Sequence, residues 1–223
     1  MPKDSAPSPA SPSPAAPPLA GRRGQALRND TVILDAARTV FLRDPKAPVA
    51  AVAEQAGVGI SALYRRYPGK EDLLRRLCHD GLRRFIAEAE SAAGDPDPWL
   101  AFSQFMHRVV DADVHSLTVH LAGTFTPTPE MHADARRAGE LAAALVQRAQ
   151  AAGRLRADVV PGDVDLVLEG CAAVRVPDPA RTRELRQRYL RLQLDGLAAG
   201  PARDPLPGPP PHGDLNWRWQ RTP

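Results

Sequence analysis

Three observations predict an all-α chain. Apolar residues recur at three- and four-residue spacing in one segment after another, Pro and Gly punctuate those segments at helix-length intervals, and β-branched alternation is nearly absent. Both ends of the 223 residues stand apart. Residues 1–20 hold seven prolines among Ala and Ser and read as disordered, because such a segment buries too little surface to offset its ordering entropy. Residues 201–223 form a second tail, with six prolines in 201–211. It ends in a Leu215-Asn216-Trp217-Arg218-Trp219 stretch that either docks on the body or trails from it. The span 21–200 is long enough for one large domain or two small ones.

The first folded element presents Ile33, Ala36, Ala37, Val40 and Phe41 on one helical face, with Asn29 or Asp30 as its cap and Asp44-Pro45 as its stop. A short helix follows over Val49–Ala56, entered at Pro48 and closed by Gly57. The turn Gly57-Val58-Gly59 leads to a second short helix from Ile60 to about Tyr67, ended by Pro68-Gly69. From Lys70 to about Ala93 a long amphipathic helix turns Leu73, Leu74, Leu77, Leu82, Phe85, Ile86 and Ala89 inward. Further helices are expected near 96–114, 116–125, 129–152, 161–176 and 178–199.

Charge is distributed unevenly. Residues 21–93 carry 13 Lys/Arg against 9 Asp/Glu, whereas residues 94–223 carry 15 against 16. The basic excess at the N-terminal end of the folded region suits a polyanion partner, although a solvated face has the same signature. No segment has the apolar length of a membrane span or of a signal-peptide core. Cys78 and Cys171 match no metal or redox spacing and fit free thiols in a reducing cytoplasm. His107, His115, His120 and His132 have no metal-ligand spacing, so no metal is expected. Neither a Gly-rich phosphate loop nor a nucleophile elbow is present, which argues against an enzyme, and no cofactor is expected.

Two short helices joined by a tight glycine turn have the dimensions of a helix-turn-helix, though any helical bundle can hold a short hairpin. The ordered set around it is far more specific. Ile33-Leu34-Asp35-Ala36-Ala37 with Phe41, then Ala53, Ala56, Gly57 and Val58, then Leu63, Tyr64 and Tyr67, then Lys70, Glu71 and Leu73 resemble the DNA-binding region of the tetracycline-repressor (TetR-type) regulators. Three departures stand out. Pro48 replaces the usual Ser or Thr, Gly59-Ile60 a typical Ser-Lys, and Ala62 a common Thr, so polar contacts are lost.

Leu63 and Tyr67, four residues apart, face inward. Ser61, Ala62, Tyr64, Arg65 and Arg66 are left for DNA, with Lys70 pairing a phosphate at the next helix start. Arg65 either reads guanine with its fork or touches phosphate only. Arg22, Arg23 and Arg28 form either a minor-groove arm or a solvated patch.

The resemblance implies a DNA-binding domain over 21–75 and a helical effector-binding and dimerisation domain over 76–200. It further implies a homodimer, joined through the helices near 161–176 and 178–199, that represses by holding an inverted-repeat operator and releases it on binding a small apolar effector. Candidates for the effector pocket are Phe102, Phe105, Met106, His120, Phe125, Met131 and Cys171, with Trp99 beside them. Such residues at helical spacing also build ordinary cores.

Overall fold

The computed structural model describes residues 19–200 and 204–215, with side chains from Asp30 onward. Of residues 1–20, expected to be disordered, Leu19 and Ala20 belong to α1 instead, while residues 1–18, the side chains of Arg22, Arg23 and Arg28, and the tail tryptophans Trp217 and Trp219 lie outside the described residues. Nine helices make up the described chain: α1 Leu19–Arg43, α2 Val49–Ala56, α3 Ile60–Arg66, α4 Lys70–Ala93, α5 Pro98–Asp111, α6 Val114–Leu121, α7 Pro129–Ala151, α8 Pro161–Ala173 and α9 Pro179–Leu197. One isolated antiparallel bridge, Leu155 to Ala198, is the single β feature among the described residues.

Local chemistry explains most of the boundaries. Proline occupies the first helical position of α5, α7, α8 and α9, where a missing N–H costs nothing. Asp97, Thr128 and Asp178 cap α5, α7 and α9 by accepting backbone N–H bonds through their side chains. The expected start of α1 at Asn29 or Asp30 is wrong: the helix begins at Leu19. No proline occurs between Pro18 and Pro45, and Leu, Ala, Arg and Gln in residues 19–28 propagate a helix well.

The buried side chains form two clusters. One contains Phe41, Val52, Leu63, Tyr67 and Leu73 of α1–α4 together with Leu117 and Leu121 of α6, Phe125 beyond it and Met131 of α7. The other packs Phe102, Phe105 and Met106 of α5 against Ala89 of α4, Leu145 and Val146 of α7, Leu168 of α8 and Leu190 and Leu194 of α9. The long helix α4 contributes to both, and α6 lies against the N-terminal cluster even though its sequence belongs to the C-terminal body.

Candidate DNA-binding face and ligand cavity

The α2–α3 turn follows from Gly57, whose φ of 63° lies in the left-handed region that a side chain disfavours. Its N–H donates to Glu54 O at 3.1 Å and Val58 N–H to Ala53 O at 3.0 Å, closing α2. Leu63 and Tyr67 are buried and pin α3, which leaves Ser61, Tyr64, Arg65 and Arg66 at the surface and Ala62 half-buried. Arg65 makes no hydrogen bond or ion pair among the described residues. Ile60, 39% exposed at the start of α3, is an apolar side chain on the same helix.

Two of the residues expected at DNA also have partners within the protein. Arg66 is exposed but paired: its Nε and Nη2 donate to Asp30 Oδ1 and Oδ2 at 2.9 and 3.0 Å. Asp30 is only 7% exposed, and Tyr67 Oη donates to it as well, at 2.5 Å. The Arg66 bonds hold the Asp30 carboxyl below its ordinary range, against the opposing effect of burial. Burial, reinforced by the bond to Asp30, keeps the Tyr67 phenol protonated. Asp30 is therefore a joint between α1 and α3 rather than a helix cap.

Lys70 is also committed internally. Its Nζ donates to Pro45 O and Ala47 O, each at 2.8 Å, and lies 5.1 Å above the Phe41 ring. Loss of hydration lowers its pKa. The ammonium ties the α1–α2 loop to the start of α4, a structural role with no signal in the sequence.

The expected effector pocket is displaced in the same way. Phe102, Phe105 and Met106 are fully buried against neighbouring side chains and line neither of the two spaces described below. Trp99 lies 5.9 Å from Phe102, ring to ring, as part of the same packing. Phe125 is core of the N-terminal cluster. His120 Nδ1 sits 2.7 Å from Ser116 O, one helical turn back. Cys171 borders only a void of about 10 Å³, room for at most a single water. Of the seven candidates, Met131 lines a large space among the described residues.

That space is a cavity of about 510 Å³. Its walls are Cys78 and Leu82 of α4, His115 and Thr118 of α6 with Ala122 just after it, Pro127, Met131, His132 and Ala135 of α7 and the loop before it, Asp165 and Glu169 of α8, and Leu215 of the tail. A neighbouring space of about 220 Å³ shares Leu82, His115, Thr118, Ala135 and Asp165 with it. The size suits a small molecule. Asp165 is open to water inside the cavity, yet protein surrounds it. That desolvation, with Glu169 one turn away adding like charge, pushes its pKa up to about 6. The acidic pair gave no motif in sequence, and its significance comes from facing a space walled largely by apolar side chains.

A side-chain cluster outside the cavity was equally silent. His79 Nε2 lies 2.7 Å from Asp134 Oδ2, and with Glu130 the three ligating atoms fall within 4.8 Å of one another. Arg83 bonds Glu130 at 2.7 Å and approaches Asp134 at 3.7 Å. A cation is thus already supplied, and the group reads as a clamp between α4 and α7.

The sequence profile described as bacterial regulatory proteins, tetR family, matches residues 33–77. That of the transcriptional regulator SbtR-like C-terminal domain matches residues 97–199. The HTH-type transcriptional repressor LfrR of Mycolicibacterium smegmatis is 33% identical over 113 residues, which cover 49% of this chain and 59% of LfrR. The match thus spans little more than half the length of that relative. Among solved structures, the TetR transcriptional regulator SCO0520 of Streptomyces coelicolor is 26% identical with a TM-score of 0.56, over 76% of this chain and 98% of that one. LfrR of Mycobacterium smegmatis in complex with proflavine shares the fold at a TM-score of 0.52 and 22% identity, over 74% of this chain and 95% of LfrR.

Proposed function

The chain belongs to the TetR family of DNA-binding transcription regulators, and on that premise we propose that it is a repressor whose homodimer releases an inverted-repeat operator when a small cation fills the α4–α6–α7–α8 cavity. The observation that carries the DNA half is α3 itself. It is held from behind by Leu63 and Tyr67, while Ser61, Tyr64 and Arg65 stand exposed on it. Arg65 is the base-reading candidate because its fork is uncommitted, and Ile60 fits a thymine methyl. A dimer doubles a readout too short for specificity in one copy. Leu166 on α8 and Leu192 on α9, 46% and 62% exposed, support pairing through those helices.

Asp165 and Glu169 support a ligand with an apolar body and one basic nitrogen, a narrower class than the small apolar effector expected from the sequence. LfrR was solved with proflavine, a comparable chemistry. Filling the cavity changes the packing of α4 and α6. Because α4 starts directly behind α3, that repacking alters the spacing of two recognition helices that must sit about 34–36 Å apart. Operator binding measured with and without proflavine, on a site mapped by sequencing bound DNA, tests the reading. Unchanged affinity at saturating cation removes the ligand half, and absence of any inverted-repeat preference removes the DNA half.

A further inference from the structure

The C-terminal tail leads back to the cavity. Arg156 Nη2 donates to Asp204 O at 2.9 Å, and Leu206 N–H donates to the Asp158 carboxylate at 2.9 Å. Pro211 then packs so closely on Gly162, at the start of α8, that a Cβ there would lie 2.7 Å from Pro211 O. Leu215, half-buried, is itself a wall of the 510 Å³ cavity. The tail is therefore held at three points and delivered to the cavity mouth.

The eight residues that follow are Asn216-Trp217-Arg218-Trp219-Gln220-Arg221-Thr222-Pro223. They carry two indoles and two guanidiniums and no acid. Two extended residues span about 7 Å, so Trp217 and Arg218 are within reach of a space that Leu215 already lines. The cavity offers what they need: Leu82, Met131 and Ala135 for an indole, and Asp165 with Glu169 for a guanidinium.

We propose that residues 216–223 enter this cavity as a tethered competitor of the effector, with tryptophan on its apolar walls and Arg218 facing Asp165 and Glu169. This rests on the cavity being the effector site. A short tether supplies an effective concentration of roughly millimolar, so weak intrinsic affinity suffices to keep the segment in place. A cation must then bind well enough to displace it, which sets the threshold of the response.

Proflavine binding by fluorescence polarisation, compared between the full chain and a chain ending at Leu215, tests this. The shortened chain is expected to bind on the order of tenfold more tightly, and a synthetic 212–223 peptide added to it restores the weaker value. Arg218→Glu in the full chain reproduces the truncation.

A Trp99→Phe chain, whose remaining tryptophans are Trp217 and Trp219, gives an independent readout. Its emission is expected to be blue-shifted from the free peptide and to redden when Ala135→Phe fills the cavity. Equal proflavine affinity in both chains with peptide-like emission overturns the tail proposal and leaves the effector reading intact. No proflavine binding by either chain counts against the ligand class. The tail is then decided by emission alone: a blue shift sensitive to Ala135→Phe supports docking, and an insensitive or absent shift overturns it.

Discussion

Arg38 of α1 reaches Asp113, between α5 and α6, with its Nη2 3.0 Å from the Asp113 carboxylate. The same guanidinium also donates to Asp113 O. From the other side, Arg186 of α9 places Nη1 2.5 Å from Asp113 Oδ1 and donates to Val174 O and Ala172 O. Asp113 is the one described non-glycine residue with positive φ, at 50°, a conformation that Asp tolerates better than most. Arg175 adds a bond from the α8–α9 loop to Leu42 O at the end of α1. One carboxylate and three arginines thus add a polar link between α1 and the body, beside the apolar packing of α6 on the N-terminal cluster.

Asp113→Asn keeps the left-handed backbone accessible but removes the charge between Arg38 and Arg186. We expect a stability loss of about 1–3 kcal/mol, since buried Arg186 keeps its carbonyl partners. We also expect operator affinity near that of the parent and a reduced effect of cation on it. Urea melts and operator titrations with proflavine measure both; an undiminished ligand effect rules out coupling through Asp113.

Arg65→Ala and Arg66→Ala should separate. The first is expected to cost about 1–3 kcal/mol in operator binding and to relax one position of each half-site, with no change in stability. The second should lower stability, because it strands the Asp30 carboxylate. The pH dependence has a definite sign. Asp30 titrates lower in the folded than in the unfolded chain, so its contribution is present above the unfolded value and fades as pH falls through the folded one. The variant's deficit is therefore full near neutrality and shrinks in acid. A pH-independent deficit contradicts that assignment.

Lys70→Met preserves much of the stem over Phe41 and deletes two bonds to carbonyls. A melting temperature lowered by a few degrees is expected, from a loss of about 1–2 kcal/mol. The salt dependence of DNA binding should stay unchanged. A salt slope smaller by about one would restore the phosphate contact.

Asp165→Asn should weaken cation binding while slightly stabilising the chain above pH 6. The folded carboxyl, with a pKa pushed up to about 6, binds its proton more tightly than the unfolded one. It therefore destabilises the fold above that pH and is relieved as pH falls. Water reaches the group, so the gain is at most about 1 kcal/mol. Proflavine affinity of the parent should drop between pH 7 and 5, and a flat profile in both chains removes Asp165 from the site.

Leu192→Glu places a charge on an exposed apolar position of α9. Light scattering is expected to show a dimer for the parent and a monomer for the variant, and an unaltered dimer puts the interface elsewhere.

Local rules made much of this protein legible from sequence. Gly57 predicts the α2–α3 turn because only its backbone geometry is needed, and Leu63 with Tyr67 predicts the inner face of α3 because four residues make one turn. The prolines that open α5, α7, α8 and α9 act through their own rings. Tertiary structure decided which inward side chains meet another side chain and which meet a void. Phe102, Phe105 and Met106 have the periodicity of a pocket and of a core alike, and the approach of α7, α8 and α9 made them core. Asp165 has the periodicity of a solvated face, and the arrangement of α4, α6 and α7 opposite made it a cavity wall. Arg66 and Lys70 looked free because their partners, Asp30 and the Pro45 and Ala47 carbonyls, lie 36, 25 and 23 residues away. Helical periodicity reports direction from one axis. The identity of what lies in that direction depends on the placement of other axes, which no local pattern encodes.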